Sequence, residues 1–200
     1  MGNDTREQFL DQAEALFAER GFYGVSIAAI ASELGLTKQA LLHHFGSKEK
    51  VYGEVLRRIS ETFQAGIDAT QRKADGPADR LKHYLLQIHS PSEGNANRTR
   101  LLMRELLDNK RRVDTAGTWY LKPFLEQLIL MVKAIPNWKD ASDAEALAMV
   151  YQLLGAINYF GISQPTLTGI FGPEMFTDMT RIFPAQLEQL IDAALRARSE

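Results

Sequence analysis

The chain has no cysteine among its 200 residues, which excludes structural disulfides, thiolate metal sites and a thiol redox sensor. It has no excess of positive charge: Lys and Arg number 23 against 25 Asp and Glu, for a net charge of −2. That balance argues against a non-specific coat for nucleic acid, which relies on neutralising phosphates, but not against a sequence reader with a few placed lysines. Gly-rich phosphate loops and a nucleophile elbow are missing. No two histidines stand at metal-binding helical spacing, since His83 and His89 are six apart and His43 and His44 are adjacent. Catalysis has no residues to stand on, and no cofactor or metal is expected. The opening MGNDTREQFL lacks an apolar signal core, so the chain is expected in the cytoplasm. Arg6 stands where an N-terminal lipidation motif wants Ser or Thr. With 45% hydrophobic composition the chain can bury a substantial core and form one or two globular domains.

What is there is concentrated in residues 26–50, SIAAIASELGLTKQALLHHFGSKEK. Ser26 can cap a helix carrying Ile27, Ile30, Ala31 and Leu34 at helical spacing. Gly35 can take the left-handed conformation that ends it, Leu36 is expected to point inward, and Thr37 can cap a second helix from Lys38 to about Phe45. The turn is then about three residues long. Two helices crossing steeply over so short a turn need a small residue where they touch, and Ala31, four before the glycine, supplies it. Leu41 faces back toward Ile30, Ala31 and Leu34, with Phe45 closing the bottom of the small core. Lys38, Gln39, Leu42 and His43 are left for a partner. The pattern reads as a helix-turn-helix that docks in DNA. A preceding amphipathic helix over 4–20, with Phe9, Ala13, Leu16 and Phe17 on one face and Gly21 as its stop, completes a three-helix head. Phe22 and Tyr23 are expected to pack under the turn, the alternative being a stack on sugar or base.

The segments RGFYGVS and IAAIASELGLTKQALLHHFGSKEKVYGEVL, within roughly 7–56, resemble the head of the tetracycline-repressor (TetR) family of transcriptional regulators. Two positions depart from the family's pattern: Leu42 stands where a phosphate-reaching tyrosine is usual, and Ala40 where a hydroxyl residue is common. The resemblance implies an all-α protein with a homeodomain-like helix-turn-helix head over 1–50 and a helical ligand-binding and dimerisation bundle over 51–200. It further implies a homodimer that binds a palindromic double-stranded DNA operator and represses until a small effector of unknown identity releases it. Ser26, Thr37, Lys38, Gln39, Ala40, Leu42, His43 and Lys48 are the expected DNA-binding residues.

After the head, Ser47 caps a helix over about 48–74 whose Val51, Val55, Ile59, Phe63 and Ile67 keep an unbroken spacing of four. At about 1.5 Å per residue it spans roughly 35 to 40 Å and serves as a connector. Lys48 in its first turn suits a DNA phosphate, helped by the helix N-terminus. The rest reads as helices over 78–89, 98–114 and 118–135, the last with Pro123 at its first turn or a kink, then 144–162 and 173–198. Lys110, Arg111 and Arg112 are expected to complement a helix C-terminus and stay solvated. The run 144–162 approaches the length of a membrane span, but Glu145, Gln152 and Asn158 interrupt it. A helix buried between its own domain and a second subunit is equally apolar. No membrane partner is expected, and Gly155 and Ala156 are expected at the subunit contact. Met103, Trp119, Tyr120, Phe124, Met131, Tyr151, Asn158 and Tyr159 have the large or adaptable side chains of a small-molecule pocket, and the resemblance places an inducer pocket in this domain. Two other readings are open: a helical adaptor whose head binds protein, and a DNA-binding dimer that responds to no small molecule.

Overall fold

The computed structural model describes residues 2–70, 76–90, 95–108 and 120–197. Among them are eight α-helices, one 3-10 turn and no strand. The helices are α1 (Gly2–Arg20), α2 (Ile27–Glu33), α3 (Lys38–Phe45), α4 (Lys48–Thr70), α5 (Pro77–His89), α6 (Asn95–Asp108), α7 (Lys122–Lys133) and α8 (Asp143–Arg196). Two compact units divide the chain: Met1–Thr62 with Gly94–Leu121, and Phe63–Glu93 with Lys122–Glu200. The division falls within α4, and α6 groups with the head.

In the first unit, α1 buries Phe9, Leu10, Ala13, Leu16 and Phe17 against α2, α3 and the start of α4, which contributes Val51, Val55 and Ile59. Gly21 at φ 70° ends α1, a conformation that glycine adopts without a side-chain clash. α6 joins this unit through the fully buried Leu101 and through polar bonds. Arg104 donates from Nε to the carbonyl of Ala18 at 3.0 Å and from Nη2 to that of Glu19 at 2.7 Å, satisfying the last turn of α1. Tyr120 presses its hydroxyl on α4 where only Gly53 leaves room, since a Cβ there would lie 2.6 Å from Oη.

The second unit is a bundle of α5, α7 and α8 around a core of Leu81, Tyr84, Leu85, Phe124, Leu128 and Val132 together with both ends of α8. Ser142 and Glu145 form a reciprocal capping box at the start of α8. This helix runs on past Ile162, where the sequence suggested a break, and turns only at Gly172 (φ 85°, ψ 163°). Pro165 removes one backbone donor without ending the helix, whereas the positive φ at Gly172, followed by Pro173, reverses the chain. The two arms, 143–171 and 173–196, fold back on each other. The rings of Phe160 and Phe183 stack at 3.8 Å, and Ile157 shares a core with Leu187. Trp138 Nε1 and Asn137 Nδ2 donate to the carbonyl of Leu195 at 3.1 and 2.9 Å, and Lys82 reaches both Glu188 and Asp192. α8 is long and apolar enough to cross a membrane by length and composition, yet Met149, Val150, Leu153, Ile157, Leu187 and Ile191 lie buried in the bundle core.

Candidate nucleic-acid interface

Local chemistry sets the α2–α3 corner. Ser26 Oγ accepts from the Ala29 amide at 3.0 Å, and Thr37 Oγ1 accepts from the Ala40 amide at 3.2 Å. Each thereby satisfies a backbone donor that the first turn of its helix leaves free. Between them Gly35 sits at φ 64°, and the Leu36 amide donates back to the Ala31 carbonyl at 2.9 Å, the six-to-one bond of a glycine-terminated helix. Ala31, Ile30 and Leu41 are each fully buried, and Phe45 nearly so, so the small-residue contact stands where spacing placed it. Leu36 does not point inward. The residue is 37% exposed, its part in the turn being the backbone bond to Ala31.

The face that remains has Lys38, Gln39 and His43 exposed and Ala40 and Leu42 partly so, on a helix whose buried side is Leu41 and Phe45. His43 and His44 diverge: His43 is exposed, whereas the His44 ring lies 5.8 Å from that of Phe9. Ser47 Oγ accepts from the Lys50 amide at 3.3 Å and starts α4. The Glu49 carboxyl is held below its usual range by its own backbone amide and by the Ser47 hydroxyl. Lys48, at the head of α4, is partly buried with Nζ 4.3 Å from the centre of the Phe22 ring. Burial holds its ammonium below the usual lysine range, against the opposing pull of Glu49. Phe22 packs as expected, but Tyr23 is exposed.

Counting charges in residues 1–50 gives five positive (Arg6, Arg20, Lys38, Lys48, Lys50) against seven negative (Asp4, Glu7, Asp11, Glu14, Glu19, Glu33, Glu49). The structure alters what that count means. Arg58 of α4 pairs with Asp11 at 2.7 Å, Glu14 at 2.8 Å and Glu7 at 3.5 Å, and Arg98 of α6 approaches Glu14 at 3.5 Å. Arg6 reaches Glu54 at 2.7 Å. Three of the seven carboxylates are thus matched on α1 by arginines from later in the chain. Arg58, Arg98 and Arg104 are residues that the sequence reading missed, and with partners 44 to 86 positions away no local pattern could have marked them.

The other set of expected site residues is divided between the two units. Met103 lies on α6 and Tyr120 beside Gly53, both in the unit that contains the head. Phe124 is buried in the bundle, tilted against Phe63 at 4.8 Å, and Met131 packs partly against the same core. Tyr151 and Tyr159 are exposed, Tyr159 at 72%, and Asn158 is partly so. Trp119, and with it Lys110, Arg111 and Arg112, lies outside the described residues. Gly155 is exposed between the two tyrosines, and a Cβ there would meet nothing within 4 Å. No group of three or more potential metal ligands occurs among the described residues.

Residues 9–55 match the sequence profile described as bacterial regulatory proteins, tetR family. The HTH-type transcriptional repressor KstR2 of Mycobacterium tuberculosis is 34% identical over 80 residues, which is 40% of this chain and 40% of that one. The HTH-type transcriptional regulator RutR of Escherichia coli is 22% identical over 167 residues, covering 84% of this chain and 78% of that one. Among solved structures, a transcriptional regulator of Saccharomonospora viridis in complex with choline superimposes with a TM-score of 0.65 at 20% identity, covering 95% of this chain and 94% of that one.

Proposed function

We propose, from the match of residues 9–55 to the bacterial tetR family of regulatory proteins, that the chain represses transcription by binding a palindromic operator as a homodimer. The observation that carries the reading is the α2–α3 corner, where two side-chain caps and one left-handed glycine fix a helix whose outer face presents Lys38, Gln39 and His43. An exposed N-terminal stretch of a short capped helix is the part that enters a major groove. Gln39 has the paired donor and acceptor that read adenine. Lys38 and Lys48 supply charge for phosphate, with Ser26 and Thr37 close to the backbone and Ala40 and Leu42 in apolar contact.

The dimer reading is supported by the outer side of α8. Tyr151, Tyr159, Ile170, Phe171, Met175, Ile182 and Leu190 are all exposed on this helix, and exposed large apolar side chains that gather into a patch mark an interaction surface. Gly155, open on that side, lets a second backbone approach. A two-fold dimer places two α3 helices in successive major grooves, which requires a near-palindromic site.

The effector is a small apolar or amphipathic molecule held among α5, α7 and α8, where Phe124 and Met131 are the expected residues that face this bundle. The choline complex of the Saccharomonospora regulator favours this reading over a dimer without ligand. Release follows if the effector prefers a body shape that misplaces the heads, and α4, which contributes residues to both units, is the element to transmit it. A gel-shift assay against a random-duplex pool tests the DNA reading, and absence of any shifted species would favour a protein-binding adaptor. Any compound that raises the melting temperature must lose affinity when saturating operator is present, by the same factor that it weakens DNA binding, about 5- to 150-fold. Equal affinity with and without operator would leave the body a dimerisation platform.

A further inference from the structure

We infer that Phe22 is a positioning residue for DNA binding, an aromatic platform that holds the Lys48 ammonium ready for a phosphate. The inference rests on the reading of Lys48 given above and adds to it the residue that makes the lysine effective. A lysine head on a four-carbon stem samples many rotamers in water, and fixing it on a phosphate costs that freedom. In this chain the freedom is already reduced. Nζ of Lys48 stands 4.3 Å from the centre of the Phe22 ring, over the electron-rich face that attracts a cation.

The platform is itself held. Phe22 is buried, lies nearly parallel to Phe17 at 6.1 Å and meets Tyr52 at 5.1 Å in an edge arrangement. Tyr52 also meets Phe17 edge to face at 4.9 Å, and its hydroxyl donates to Glu105 of α6 at 2.6 Å. The ring under the lysine is therefore fixed from α1, α4 and α6 at once. It occupies one side of the ammonium, which carries three donors, and the partial exposure of Lys48 leaves the other side to a ligand. A lysine that merely laid its stem over apolar surface would show the same proximity, but Phe22 would then have no bearing on DNA affinity.

The experiment uses the full chain with Phe22→Leu, Phe22→Tyr, Lys48→Ala and the Phe22→Leu/Lys48→Ala pair. The probes are a duplex recovered from a random pool and a mixed-sequence duplex, each titrated at several salt concentrations. Lys48→Ala should weaken both probes. Phe22→Leu should weaken both by about 3-fold per head, or about 10-fold for a two-headed complex, the order expected for losing one pre-ordered side chain per head. The pair should be no weaker than Lys48→Ala alone, and Phe22→Tyr, which keeps the ring, should bind as the unaltered chain does. Phe22→Leu effects that add to those of Lys48→Ala, or no Phe22→Leu effect beside a clear Lys48→Ala effect, would overturn the inference and leave the Lys48 reading intact. Lys48→Ala without effect would overturn both. Should Phe22→Leu fail to fold, Phe22→Met, which keeps apolar bulk without the ring, takes its place in the same cycle, with the same supporting and overturning outcomes.

Discussion

Two exposed helical faces of this protein differ in kind. The outer face of α3 is short and polar, with Lys38, Gln39 and His43 arranged around a buried Leu41 and Phe45. The outer face of α8 is long and apolar, with Tyr159, Ile170, Phe171 and Ile182 all more than half exposed. A polar face with few directional groups suits a hydrated, charged partner that must be released. An apolar face suits a partner that stays, because its burial gains about 25 cal/mol per Å² regardless of orientation. The contrast also shows where precision is stored: in the corner behind α3, in two caps and a glycine, and in α8 only in the packing of its inner side.

The contrast can be broken most severely from behind α3. Leu41 and Ala31 are both fully buried, so Leu41→Ala should cost about 2 to 5 kcal/mol and abolish DNA binding while leaving the proposed α8 dimer intact. Loss of the dimer in that variant, measured by light scattering, would show that the two faces are not independent. Next in size is Gly155→Trp. Because nothing in the chain lies within 4 Å of a Cβ there, the variant should fold normally yet weaken dimerisation on the order of 100-fold by blocking backbone approach. Sedimentation showing an unchanged dimer at micromolar concentration would move the interface elsewhere.

Smaller effects sharpen the polar face. Lys48→Ala should weaken all sequences by about 10-fold and flatten the salt dependence, whereas Gln39→Ala should change which bases are preferred, by about 1 to 3 kcal/mol at its position. If Lys38, Lys48 and Lys50 of both heads each neutralise one phosphate, log affinity against log salt should have a slope of about −5. A slope near zero would count against the phosphate assignments.

The smallest effect separates the units by pH. The His89 ring packs beside the stacked pair of Phe160 and Phe183, at 5.6 and 5.0 Å, and burial holds it below the usual histidine range. A base so depressed contributes stability that is present above its unfolded pKa, about 6.5, and is lost as pH falls through the folded value. The melting temperature of the chain should therefore fall below about pH 6.5, and His89→Phe should remove that part of the dependence. A slope unchanged by that substitution would assign it to other groups.

Much of the head was legible because its determinants act over three or four residues. Ser26, Gly35, Thr37 and Ser47 each do locally what their chemistry allows. What escaped was set at long range. The grip of Arg104 on α1 joins residues 86 apart, and the contact of Tyr120 with Gly53 explains a helix-interior glycine that sequence alone leaves unaccounted for. In α8 the obstacle was different. A helix apolar on nearly every side has no phase, so Leu153 and Ile157, which are buried, could not be told from Tyr151 and Tyr159, which are exposed. The same ambiguity scattered the expected pocket residues over both units.

The central claim, that two copies of the α3 face read one symmetric site, is tested most directly by selecting bound duplexes from a random pool and sequencing them. The account predicts an enriched near-palindrome with half-sites about one helical turn or slightly more apart, lost with Gly155→Trp and altered at particular bases with Gln39→Ala. Enriched sites without internal symmetry, or full-strength binding by a monomer, would contradict it.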